Sequence, residues 1–189
     1  FVGVKPPKDE LLRPFIKHAG KKSVHIVGAG PAGYFAALKL LEYGIKPIIL
    51  ERGKDVRSRR KDLRSIQQFS IVNPHSNYCY GEGGAGAYSD GKLYTRAKKR
   101  GDIFKLLKLL VEYGAPQDIL VDAHPHIGSN RLPGIIAAIR DEIISKGGEI
   151  RFESWVNDII ISKGRVASLK VNDDEEIDVV NLILATGHS

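Results

Sequence analysis

Methionine is absent from the 189 residues, cysteine occurs once, at Cys79, and tryptophan once, at Trp155. A single thiol excludes an intrachain disulfide, and the missing CxxC partner argues against a disulfide-reductase mechanism. Cys79 is expected to be a small buried residue, and the chain as a whole suits a reducing, cytoplasmic setting. No apolar run approaches the roughly 18 residues of a membrane-spanning helix. Residues 1–22 lack the apolar centre of a secretory signal and read as a leader or linker. No Ser/His/Asp nucleophile pattern is present. The lack of Met, and an end at Ala185-Thr186-Gly187-His188-Ser189 directly after a strong strand signal, lead us to expect a portion of a longer protein.

Charge is not scarce, but it is one-sided: the formal net charge is +7 and the isoelectric point is near 9.4. Arg52, Lys54, Arg57, Arg59, Arg60, Lys61 and Arg64 crowd one stretch against Asp55 and Asp62, and the 92–105 segment is basic as well. Three readings fit: a solvated face, an electrostatic funnel for an anionic cofactor, or a nucleic-acid surface. No aromatic residue interrupts the first cluster, and single-strand binders need stacking platforms, so nucleic acid is disfavoured.

The strongest positive signal is Gly28-Ala29-Gly30-Pro31-Ala32-Gly33. It follows the β-branched run Ser23-Val24-His25-Ile26-Val27 and opens an Ala/Leu-rich helical run to about Tyr43. Glu51 then ends the next apolar run, Pro47-Ile48-Ile49-Leu50. This is the context a dinucleotide fingerprint requires. Gly28 permits the tight turn, Gly30 lets backbone approach a diphosphate, and Gly33 allows close helix packing. The helix N-terminus around Pro31 and Ala32 offers unpaired N–H groups to phosphates, and Glu51 can accept from a ribose diol.

Elsewhere the periodicity predicts helices near 56–69, 103–113 and 132–146, and a strand at 149–152. A hairpin is predicted over 156–162 and 166–171, an acidic turn at 173–176 and a last strand at 182–185. Ile119-Leu120-Val121 reads as a short strand. The order describes an α/β fold: a mainly parallel Rossmann-like sheet with helices on both faces and an added antiparallel β-meander.

Between them, 74–94 reads as a long loop with five glycines in the eleven residues from Gly81 to Gly91. Gly83, Gly84, Ala85, Gly86 and Ser89 could wall a cofactor with backbone N–H groups, or form a flexible surface loop. Arg52 could face the adenine or solvent, and Arg57 could reach the pyrophosphate, while the other cations of that stretch are expected in solvent. Asp90 reads as a loop anchor. His124-Pro125-His126 lacks the further ligands a zinc site needs, so no metal is expected.

The fingerprint, Glu51-Arg52-Gly53, the Gly81–Leu93 loop, His124-Pro125-His126-Ile127-Gly128 and Ala185-Thr186-Gly187-His188-Ser189 resemble the FAD-dependent, NAD(FAD)-utilising dehydrogenases. More broadly they resemble glutathione-reductase-type flavoproteins with two dinucleotide-binding-like lobes. The resemblance covers about Val24 to Ser189. It implies FAD at the fingerprint, Glu51 on the adenosine ribose, and Ala185, Thr186 and Gly187 near the cofactor, with His188 a candidate for the flavin side. It implies that 23–189 is an FAD-binding domain, with a substrate lobe and a closing flavin segment after Ser189. The expected function is the FAD-binding portion of a flavin-dependent oxidoreductase acting on a small molecule, with NAD(P)H as a candidate electron donor. The implied catalytic residues are unknown. An NAD-binding module without flavin and an RNA-interacting flavoprotein are the alternatives.

Overall fold

In the computed structural model, residues 15, 22–89, 91–93, 102–122, 126–128 and 130–187 are described. The expectations for the leader, for Asp90, for His124 and for His188 therefore lie outside the described residues.

The chain first builds a parallel unit. Strand β1 (Ser23–Val27) leads through the glycine turn into helix α1 (Pro31–Leu41), which returns to β2 (Lys46–Leu50). Gly44 supplies the left-handed residue behind α1 (φ 65°), where a Cβ would be strained. β1 and β2 pair in parallel with Ile26 opposite Ile49 and Val27 opposite Leu50. β3 (Glu149–Arg151) adds outside β2, and β7 (Leu182–Leu184) outside β1, giving the order β3-β2-β1-β7. Pro47 cannot donate to a ladder, and it is tolerated because β3 pairs with β2 only from Ile48 onward.

The sheet's two faces are covered by different layers. Ile26 and Ile49 pack against α1 and share one core with apolar residues of α3 (Ile103–Glu112) and α4 (Leu132–Ser145). Val27, Leu50 and Leu182 pack instead against Leu169 and Val171 of a second, antiparallel sheet. That sheet is β4 (Val156–Ser162), β5 (Arg165–Val171) and β6 (Glu175–Asp178), in the order β4-β5-β6. The α/β class with an added meander is as expected. Helices on both faces were expected, but the meander covers the second face, because the buried residues of β5 supply the apolar surface that a helix would have brought.

Helix α2 (Val56–Phe69) is capped by Asp55, whose carboxylate accepts from the backbone N–H groups of Arg57 (2.9 Å) and Ser58 (3.2 Å). Two local expectations change. Ile119 belongs to a 3₁₀ turn over Gln117–Leu120 rather than a strand, with Pro116 at its N-cap. The acidic segment is shorter as a turn: Asn172 and Asp173 take left-handed backbone (φ 54° and 66°), and β6 starts at Glu175. Side chains explain that start, because Glu176 faces Lys170 across the ladder and Glu175 pairs with Arg151.

His25 sits in β1 at 8% exposure, and burial lowers its pKa from the ordinary 6.5. The unfolded chain therefore takes up this proton before the folded chain does. His25's contribution to stability is present above the unfolded value and is lost as pH falls through the lowered folded value. Chemical denaturation between about pH 7 and 5 should show a stability decline that His25→Leu flattens.

Candidate functional site

The carboxyl ends of β1 and β2 and the exit from β7 open onto one cleft of about 360 Å³. Gly28, Gly30, Pro31, Ala32, Glu51, Arg52, Gly84, Ala85, Ala185, Thr186 and Gly187 all line it. Eleven of the sixteen residues expected at the site thus meet in one place, at the sheet edge where open α/β folds bind ligands.

The three fingerprint glycines are glycine for different reasons. Gly28 has φ 106°, and a Cβ there would lie 2.5 Å from the Ala185 carbonyl oxygen. A Cβ on Gly33 would lie 1.9 Å from the Gly28 carbonyl oxygen, so helix and turn could not close together. Gly33 is buried and does not line the cleft; it shapes the turn that does. Gly30 is unlike both. Its backbone is ordinary (φ −76°), and the nearest protein atom to a Cβ there would be Gly84 Cα, 3.9 Å away. The protein's own packing does not require a glycine at Gly30. Gly30 is also the residue before the first turn of α1, and no side chain caps that end.

Glu51 is 5% exposed. Its Oε2 accepts from Ala29 N (2.7 Å), and its Oε1 accepts from Gly53 N (2.8 Å) and Gly81 N (3.0 Å). One carboxylate therefore joins the fingerprint turn, the exit of β2 and the start of the glycine-rich loop. Gly83 N adds a bond to the Ala29 carbonyl (2.9 Å), which docks the loop directly on the fingerprint.

Arg59 was expected in solvent with its neighbours, but it is 1% exposed. Its guanidinium donates to the carbonyls of Asn77 (2.8 Å), Tyr78 (2.9 Å), Glu82 (2.8 Å) and Gly84 (2.7 Å), with a longer contact to Gly81 (3.3 Å). Burial lowers its pKa, and the carbonyl oxygens replace the water it has lost. Glu82, fully buried, is the second anchor that the sequence reading missed. Its carboxylate accepts from Tyr34 OH, from Val56 N (2.6 Å) and from Arg140 (3.0 Å), and burial pushes its pKa up. The signal available was a Glu inside a glycine-rich run, where an acid has no propensity reason to be.

The cleft's outer wall is aromatic. The Arg52 guanidinium lies 4.2 Å from the Tyr80 ring centroid and 5.0 Å from that of Trp155, and its Nε donates to His75 Nδ1 (3.1 Å). Tyr80 and Trp155 line the cleft with Arg52. Trp155 is held there because Ser154 N bonds the Glu51 carbonyl (2.8 Å). Nothing in the local sequence links Trp155 to Arg52, which are brought together by the meander.

The remaining expected residues fall elsewhere. Arg57 is exposed on α2 and lines a separate cleft. Gly83, Gly86 and Ser89 face an apolar pocket between α1, α3 and α4. Cys79, expected to be buried, is exposed at the cleft's rim, since Arg59 holds the carbonyls on either side of it and turns the segment outward. Among the described residues no His/Cys/Asp/Glu cluster suits a metal, and no helix is long and apolar enough to cross a membrane.

Known proteins agree with this geometry. Residues 21–65 match the family model described as FAD binding domain. That segment carries β1, the fingerprint, α1, β2, Glu51 and the first turns of α2. An uncharacterized protein of Clostridium beijerinckii is 44% identical over 164 residues, which make up 87% of this chain and 30% of that protein. The chain thus spans about 30% of the length of the curated relative it matches. Among solved structures, OTEMO in complex with FAD and NADP superposes with a TM-score of 0.53 at 15% identity, over 88% of this chain and 26% of that one. The 3-ketosteroid-Δ4-(5α)-dehydrogenase of Rhodococcus jostii RHA1 gives 0.52 at 13%, over 87% and 46%. These likenesses show the fold: a Rossmann-like parallel sheet.

Arg59→Met should cost about 3 kcal/mol or more, because it strands several carbonyls at once. Thermal unfolding would report that loss, and limited proteolysis should cut faster within 77–84 than anywhere in the parallel sheet.

Proposed function

We propose that this chain is the FAD-binding portion of a flavin-dependent oxidoreductase. The observation that carries the reading is Gly30: a glycine that the protein's packing does not need, at an uncapped helix N-terminus, beside a cleft that a Cβ would begin to fill. A diphosphate is the group that such a cradle suits, because backbone N–H groups and the helix dipole both favour it. The match to the FAD binding domain over 21–65 supports FAD among dinucleotides.

In this reading the diphosphate rests on Gly30, Pro31 and Ala32, opposite Gly84 and Ala85. Ala185, Thr186 and Gly187 border the remaining side. Glu51 keeps the walls in register, and Oε2, which accepts one backbone bond, retains a lone pair for a ribose hydroxyl. Arg52, Tyr80 and Trp155 offer the adenosine end a flat cationic face. Bound FAD supplies the capacity to accept a hydride or electrons, and the chain's residues bind and orient it. NAD(P)H is the proposed donor and a small molecule the substrate, both handled by parts of the protein outside this chain. Membership of the NAD(FAD)-utilising dehydrogenases, and of the glutathione-reductase type, is the finer form of the proposal. It is supported by the Gly81–Leu93 loop and by Ala185-Thr186-Gly187.

The full-length protein should purify yellow, with a flavin absorption spectrum and FAD as the mass of the released cofactor. Gly30→Val should abolish flavin retention while leaving circular dichroism and melting temperature near those of the parent. Gly33→Ala should instead destabilise the protein by about 3 kcal/mol or more, because the clash is with backbone. Recovery of NAD in place of flavin, or no flavin after gentle purification and reconstitution, would overturn the proposal.

A further inference from the structure

The basic stretch on α2 is only partly absorbed by the dinucleotide cleft. Arg52 stacks on its aromatic wall, Lys54 pairs with Asp62 (3.0 Å) and Arg59 is buried under the loop. Arg57 and Arg60 remain exposed, three residues apart and therefore on one face of the helix. Both line a second cleft of about 560 Å³ between α2 and the first turns of α4.

The lining of this cleft is chemically divided. On one side are the two guanidinium groups, and among the described residues neither has an anionic side-chain partner. One carboxylate, Asp141, lines the cleft as well and pairs with Arg140 (3.2 Å), while Asp55 is engaged by the backbone N–H groups that it caps. On the other side Gly134, Ala137 and Ala138 form a floor with no side chain beyond Cβ, and the Tyr88 hydroxyl is occupied by the Val56 carbonyl. Two like charges on one helix face repel, and a bound anion relieves that repulsion. Guanidinium forks suit carboxylate and phosphate oxygens, and a smooth floor suits a hydrocarbon body.

We propose that the α2–α4 cleft binds an amphipathic anion, with its carboxylate or phosphate head on Arg57 and Arg60 and its apolar body along Gly134, Ala137 and Ala138. The assignment does not rest on FAD. The two sites are nonetheless neighbours: the 3₁₀ turn Ala85–Tyr88 has Ala85 on the dinucleotide cleft and Tyr88 on this one. An occupant would sit one short turn from the cofactor wall.

Calorimetric titration of the full-length protein with decanoate, decyl phosphate, decanol and inorganic phosphate tests the assignment. At least one of the two amphipathic anions should bind, one per chain, and decanol and inorganic phosphate at least about tenfold more weakly. Preference between the two anions identifies the head group. Arg57→Ala/Arg60→Ala should weaken binding about tenfold or more. Gly134→Phe should block it without harming the fold, because a Cβ there meets nothing within 4 Å. Flavin content, read separately, should be unchanged in both variants, so failure here and failure of the FAD reading are distinguishable. The proposal is overturned if neither amphiphile binds at millimolar concentration, if decanol binds as well as the anions, or if both variants bind like the parent. It is equally overturned if only a short RNA oligonucleotide responds to loss of the arginines.

Discussion

A buried carboxylate that gathers three backbone N–H groups holds this site together. Glu51 reaches Ala29, Gly53 and Gly81, residues from three separate stretches of chain. None of those N–H groups is satisfied by the parallel ladder, and an unpaired buried donor costs about as much as a lost hydrogen bond. Arg59 supplies the complement. It takes the carbonyls of the same glycine-rich loop, so one acid and one base share the polar groups of a segment with almost no regular structure. Glu82, within that loop, then ties it back to α1 and α4 through Tyr34 and Arg140. The loop is ordered by side chains rather than by sheet or helix, and this lets glycine-rich backbone form a fixed wall.

That arrangement changes what an acid after the second strand is for. Its position suggests a sugar ligand, yet the carboxylate has architectural duties to three loops before any ligand arrives. Removing it would release the cleft's walls as well as the proposed ribose contact, so loss of binding in a Glu51 variant would not by itself identify the ribose as its partner. Gly30 is the cleaner reporter of the site, because a Cβ there would meet no protein atom nearer than Gly84 Cα, at 3.9 Å.

The features legible in sequence were those with a local cause. The fingerprint, α1, β2 and the hairpin around Lys163 and Gly164 all follow from short-range chemistry, and the structure has them. The last strand was legible too, but its place beside β1, after most of the chain, comes from the structure alone. What sequence concealed was set by tertiary contacts. The burial of Arg59 depends on carbonyls 18 to 25 residues away. The meeting of Arg52 with Trp155 depends on where the meander lands. The exposure of Cys79 follows from the carbonyls on either side of it being held inward. Charge clusters read as surface by default, and one cation among seven breaking that rule leaves no trace in composition.

The distribution of charge also bears on how a diphosphate would be held. Of the described residues lining the dinucleotide cleft, Arg52 is the only cation, and Glu51 is an anion. The exposed cations Arg57 and Arg60 belong to another cleft. In the proposed mode of binding, neutralisation at the fingerprint falls to oriented N–H groups and the end of α1, whose partial charges act over about one turn and are fixed by the fold. Such a site needs its backbone held in place more than it needs basic side chains. The buried carboxylate and guanidinium beneath it are the groups that keep that backbone still.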